Sequence, residues 1–274
     1  MTGWGALLAA EWRKVTTTKM VWVLTLVAVA LSTVNVVPTV LLASGTISGG
    51  VETLGEGQLQ NPAFITTVLS QAGTGALFAL ILGVIAMTGE YRHMTITSTF
   101  LAEPRRGRVV TAKMVLYAGL GAAMAVVVVL AVAVATYATL LPFDHTPLTA
   151  AMVGRVFVGA VIGMALYAIL GVSIGALIRS QVAAIIAVVV WVLLLEAIVS
   201  ALLPAVAKWL PGGALSAAMD VGMRADMTGS FTTARIFPGL GIASEHLDPG
   251  TRMGEILFGL IMTLTFTLGA ALKK

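Results

Sequence analysis

Long apolar runs alternate along the chain with short polar segments, and the runs have the length a membrane demands. A helix rises about 1.5 Å per residue, so about 20 apolar residues cross a hydrocarbon core roughly 30 Å thick. Six stretches qualify: 20–42, 65–87, 109–141, 152–177, 182–203 and 254–272. The third is overlong and must tilt or extend past the bilayer. The first run spans 23 residues after 19 others, which exceeds signal-peptide dimensions and reads as a retained helix. The pattern predicts an all-α integral membrane protein, a single transmembrane domain over 1–274 with six spans.

Ahead of the first span, Trp4, Leu8 and Trp12 recur four residues apart, with Leu7 and Val15 beside them. Glu11, Arg13 and Lys14 fall toward the other side. Trp favours the headgroup layer and Lys/Arg an anionic leaflet, so residues 1–19 read as an amphipathic surface helix bracing the first span. Between the fifth and sixth runs, residues 204–253 form a long loop whose Pro204, Pro211, Pro238 and Pro249 argue against one continuous helix.

Orientation follows from the basic residues. With the N-terminus inside, eleven of the sixteen Lys and Arg lie on the inner side, among them Arg92, Arg105, Arg106, Arg108, Lys113 and Arg179. The other five, Arg155, Lys208, Arg224, Arg235 and Arg252, lie outside, which places both termini in the cytoplasm and the 204–253 loop outside.

Composition narrows the function classes. Hydrophobic residues make up 58% of the chain and charged ones 10%, too few to cover a water-facing surface. The absence of cysteine removes disulfide scaffolds and thiolate metal sites. An Ala/Val/Gly-rich, Lys-poor chain points to a high-GC, actinobacterial type of source and a bacterial plasma membrane. No G-x-x-x-x-G-K-[ST] loop or H-E-x-x-H helix is present, so neither nucleotide hydrolysis nor zinc hydrolysis is written into the chain. Gly171-Val172-Ser173-Ile174-Gly175 matches a nucleophile elbow only as letters; it sits in an apolar run with no His in any span. With Gly159 and Gly163 it reads as a small-residue packing stripe. The sequence therefore assigns no catalytic, cofactor or metal residues and no nucleic-acid partner.

Two features carry functional content. Glu196 stands alone in Trp191-Val192-Leu193-Leu194-Leu195-Glu196, a charge inside an apolar span. Such a group faces a cavity or a partner, and it is either a carboxylate of the translocation path or a structural one. Arg155 is a doubtful partner because the two differ in depth by roughly 10 Å. The second feature is the basic loop between the second and third runs. It opens with Gly89-Glu90-Tyr91-Arg92-His93, continues through Ile96 and Phe100, and closes on Pro104-Arg105-Arg106-Gly107-Arg108.

That loop resembles the cytoplasmic loop of type-2 ABC transporter permeases, where G-E-Y-R-H and a later P-R-R-x-R recur. Glu11-Trp12-Arg13-Lys14 is similar to the family's N-terminal surface helix, and Gly175 to Gln181 to its turn between spans four and five. The resemblance implies a permease subunit of an exporter that pairs as a homo- or heterodimer and docks a cytoplasmic ABC ATPase, on which ATP and Mg would bind. Glu90, Tyr91, Arg92, His93, Ile96 and Phe100 would then form the coupling element. Arg105, Arg106 and Arg108 would hold topology against membrane lipids. It also implies a re-entrant helical element outside, in the loop between spans five and six. An apolar or amphipathic substrate fits the Ala, Val, Leu and Gly of the spans. An ion-driven secondary transporter would need more intramembrane ionisable sites, and a non-transporting scaffold or immunity protein would need no ATPase; co-purification of an ATPase separates these readings.

Overall fold

The computed structural model describes residues 3–46, 58–95, 105–178, 180–203 and 209–219, with positions 97, 101 and 206. The sixth apolar run, at 254–272, and most of the 204–253 loop lie outside the described residues, as do Ile96 and Phe100.

Among the described residues the chain is helical throughout, with no strand. The helices are α1 (Trp4–Thr17), α2 (Met20–Ala43), α3 (Pro62–Leu69), α4 (Gly75–Arg92) and α5 (Arg106–Leu140). They continue with α6 (Ala150–Leu177), α7 (Gln181–Val190), α8 (Glu196–Leu202) and α9 (Pro211–Ala218). Hydrocarbon offers no hydrogen bonds, so a chain this apolar must satisfy its backbone internally, and the helix does so within each segment.

Five helical stretches are long and apolar enough to cross a membrane: Met20–Ala43, Pro62–Arg92, Gly107–Leu140, Ala150–Leu177 and Gln181–Leu202. They match the first five apolar runs to within a few residues at each end except the end of the second. That span continues to Arg92, past the expected Met87, and is built in two pieces: α3 and α4 joined by the 3-10 turn Ser70–Thr74. Local chemistry sets several boundaries. Asn61 caps α3 by accepting from the Ala63 N–H at 3.0 Å, with Pro62 at the first helical position. Ser180 caps α7 by accepting from the Ala183 N–H.

The second and fourth spans form the centre of the bundle. Their backbones touch because glycines face each other: a Cβ at Gly83 would collide with the Ala168 carbonyl oxygen, and one at Gly171 with that of Leu80. In lipid there is little hydrophobic drive between helices, so such close approach supplies the packing attraction. The stripe read from the sequence is thus a packing seam. The third span closes over it, where Gly121 abuts the Met164 carbonyl. The outer faces of the first and fifth spans expose Leu26, Val34, Val182 and Ile186, a surface suited to lipid. The chain is a multi-pass, all-helical membrane protein.

α1, the end of α4, the start of α5 and the turn between α6 and α7 gather at one end of the bundle, called here the basic end. At the other half, α9 packs against the middle of α6 rather than over its end. A Cβ at Gly163, thirteen residues and about 20 Å into α6, would collide with Leu215 Cδ1, and one at Gly159 with the Ala218 carbonyl. Helix α9 therefore lies beside the middle of α6.

Candidate functional site

At the basic end four charged side chains form a closed square. Lys113 Nζ on α5 donates to Glu11 Oε2 at 2.5 Å and to Glu90 Oε1 at 3.0 Å. Lys14 Nζ on α1 donates to Glu11 Oε1 at 2.6 Å and to Glu90 Oε1 at 2.8 Å. Each lysine bridges both carboxylates, so the square is neutral and its three buried members are compensated. Lys113, Glu90 and Glu11 are 1%, 6% and 5% exposed. The Tyr117 ring, one turn along α5, lies 5.8 Å from the Lys113 ammonium. Burial works against the Lys14 ammonium, but its hydrogen bonds to Glu11 and Glu90 outweigh that and raise its pKa above the ordinary 10.5.

This square buries a residue that the sequence placed on the polar side of α1. The spacing in α1 put Trp4, Leu8 and Trp12 on the side of the headgroup layer and Glu11, with Arg13 and Lys14, on the opposite, polar side. The bundle instead buries Glu11 and Val15, while Trp4 and Trp12 stay 46% and 51% exposed. Lys113, counted from the sequence among the basic residues of the inner side, is buried on α5. The reason is common to both: Lys113 brings a cation into the bundle, and an unpaired buried charge is far costlier than an outward tryptophan at a headgroup layer. Glu11 therefore turns inward to meet it.

Glu90 likewise turns inward. Its neighbours do not: Arg92 and His93 are exposed and Tyr91 is half-buried. The α4 C-terminus stops in a defined way. Met94 adopts a left-handed φ of 55°, the Thr95 N–H bonds the Glu90 carbonyl at 3.0 Å, and the Met94 N–H bonds that of Tyr91 at 3.3 Å. That is the Schellman pattern, usually made with glycine. A methionine in this conformation carries backbone strain of about 1–2 kcal/mol at the base of the loop.

Beside it, Arg92 Nη1 donates to Gln181 Oε1 at 3.2 Å. Tyr91, Arg92, Ser180, Gln181 and Val182 line an open cleft of about 440 Å³. The two polar segments singled out in the sequence, 88–108 and 175–181, thus meet at one surface. Of the expected lipid-facing arginines, Arg105 is exposed and Arg106 opens α5, while the Arg108 guanidinium lies 5.3 Å over the Trp4 ring. Glu11 and Lys113 were not legible as a site, because their pairing spans 102 positions.

The second candidate, Glu196, lies in the other half of the fifth span. Between α7 and α8 the helix widens into a π turn, Trp191–Leu195. The Trp191 indole N–H donates to Glu196 Oε1 at 3.1 Å, and Glu196 Oε2 lies against Gly212. Among the described residues no His, Asp or Glu group could hold a metal ion.

No family model, curated protein or solved structure matches the chain. Its own residues and geometry carry the functional reading.

Proposed function

We propose that this chain is the transmembrane permease subunit of an ATP-binding-cassette exporter, with its basic end in the cytoplasm of a bacterial cell and its path formed with a second permease subunit. The observation that carries the reading is the base of the 93–105 loop. The buried square fastens α1, α4 and α5 together, the Schellman turn fixes where the loop leaves α4, and the Arg92–Gln181 bond ties that point to the turn before the fifth span. A loop that transmits force from an ATPase needs a rigid base on several spans, and this one has it. A cleft with exposed polar groups at that base offers the ATPase a surface. ATP and Mg would bind on that partner. An apolar or amphipathic cargo suits the apolar spans.

The test is a pull-down of the ATPase subunit at equal membrane levels. Phe100→Ala is expected to weaken docking by about 2 kcal/mol, the value of a typical aromatic anchor. Full ATPase binding by a Tyr91→Ala/Phe100→Ala double variant would leave the loop a topogenic element only.

A further inference from the structure

We propose that Glu196 is the positioning residue that holds α9 inside the bundle, its carboxylate capping the N-terminus of that helix from across the π turn. The tether can be tested without the permease reading, and only its consequence for transport rests on that reading.

The π turn explains why Trp191 and Glu196 meet. Residues five apart on an α-helix point about 140° away from each other. One π turn closes after five residues and stacks them, so the indole N–H reaches Glu196 Oε1. The carboxylate is thereby aimed at α9 rather than left to rotate.

On α9 the donors are arranged to receive it. Pro211 has no N–H, and the Leu210 carbonyl already accepts from Ala214 at 2.9 Å. Gly212 carries the first orphan N–H of the helix, and Glu196 Oε2 lies against this residue. A Cβ at Gly212 would meet Glu196 Oε2, so a larger residue there would push the carboxylate aside. The positive end of a helix dipole is what α9 offers the carboxylate.

The other end of α9 has a separate seat. Leu215 fills the space above Gly163, and Ala218 and Met219 rest on Gly159. Helix α9 is thus held at two points, one polar on the fifth span and one steric on the fourth. In a permease this helix would close the outer half of the path, and loss of the polar point would free it to leave its seat.

The chain has no cysteine, so a Gly163→Cys/Leu215→Cys pair in the full-length protein in membranes reports the seat by oxidative crosslinking. A Met87→Cys/Gly175→Cys pair, whose Cβ positions lie 3.1 Å apart, reports the integrity of the central bundle. Glu196→Ala should slow seat crosslinking about fivefold, the effect of one lost cap, with the control pair unchanged. Glu196→Gln, which keeps an acceptor oxygen, should restore most of the rate. Gly212→Ala should slow the seat pair in the parent and add nothing once Glu196→Ala is present. Parent-rate seat crosslinking in Glu196→Ala would overturn the proposal, as would a Glu196→Gln variant no better than Glu196→Ala or additive losses in the double variant. Failure of the parent chain to bind an ATPase subunit, with the tether intact, would count against the permease reading alone.

Discussion

Replacing Lys113 with methionine tests the charged square most directly. Methionine keeps much of the aliphatic stem and removes the ammonium. Glu11 and Glu90 would then share Lys14 alone, leaving a net negative charge among groups 5% and 6% exposed. Breaking a buried ion pair costs about 3–5 kcal/mol, and the remaining lysine keeps the value near the lower end, about 3 kcal/mol. Lys14 itself is 45% exposed along its side chain, so solvent screens its loss, and Lys14→Ala should cost about 1 kcal/mol or less. In thermal unfolding of the detergent-solubilised protein, at about 2–4 °C per kcal/mol, Lys113→Met should lower the midpoint by about 6–12 °C. A Lys113→Met/Glu11→Gln double variant restores neutrality and should recover about half of that loss. A Lys113→Met shift no larger than that of Lys14→Ala, or a double variant less stable than the single, would refute the account of a compensated buried square.

Further outcomes follow from the same structure. Gly171→Ala should destabilise by about 1–3 kcal/mol because its Cβ meets the Leu80 backbone. Gly119→Ala, with open space around it, should be neutral or raise the melting midpoint slightly. Met94→Gly should relieve the left-handed turn and stabilise by about 1 kcal/mol in the same assay. Because the folded pKa of Lys14 lies above 10.5, its contribution is complete below that value and is lost as pH rises through the folded pKa; the stability gap between Lys14→Ala and the parent should therefore stay constant from about pH 6 to 9 and close only in stronger alkali. Cysteines placed at Thr53 and Ser230 should be labelled by an impermeant reagent from outside the cell, and ones at Ser98 and Lys274 should not; labelling at Ser98 from outside would reverse the orientation.

The sequence by itself determined the class of this protein and the position of the first five spans. Each span is a local property: about 20 consecutive residues either can or cannot sit in hydrocarbon, and no distant residue changes that. The turn at Ser180 and the place of Glu196 within the fifth apolar stretch were legible for the same reason. Which face of α1 packs was not. A periodicity count scores Glu11 as polar and therefore outward, but charge pairing is non-local, and the partner that draws Glu11 inward is Lys113 on α5, 102 positions away. The π turn that aims Glu196, and the glycine on α9 that receives it, likewise became meaningful only once the chain had folded back on itself. Hydrophobicity decides what enters the membrane; tertiary structure decides which of the few charges carried in with it neutralise one another.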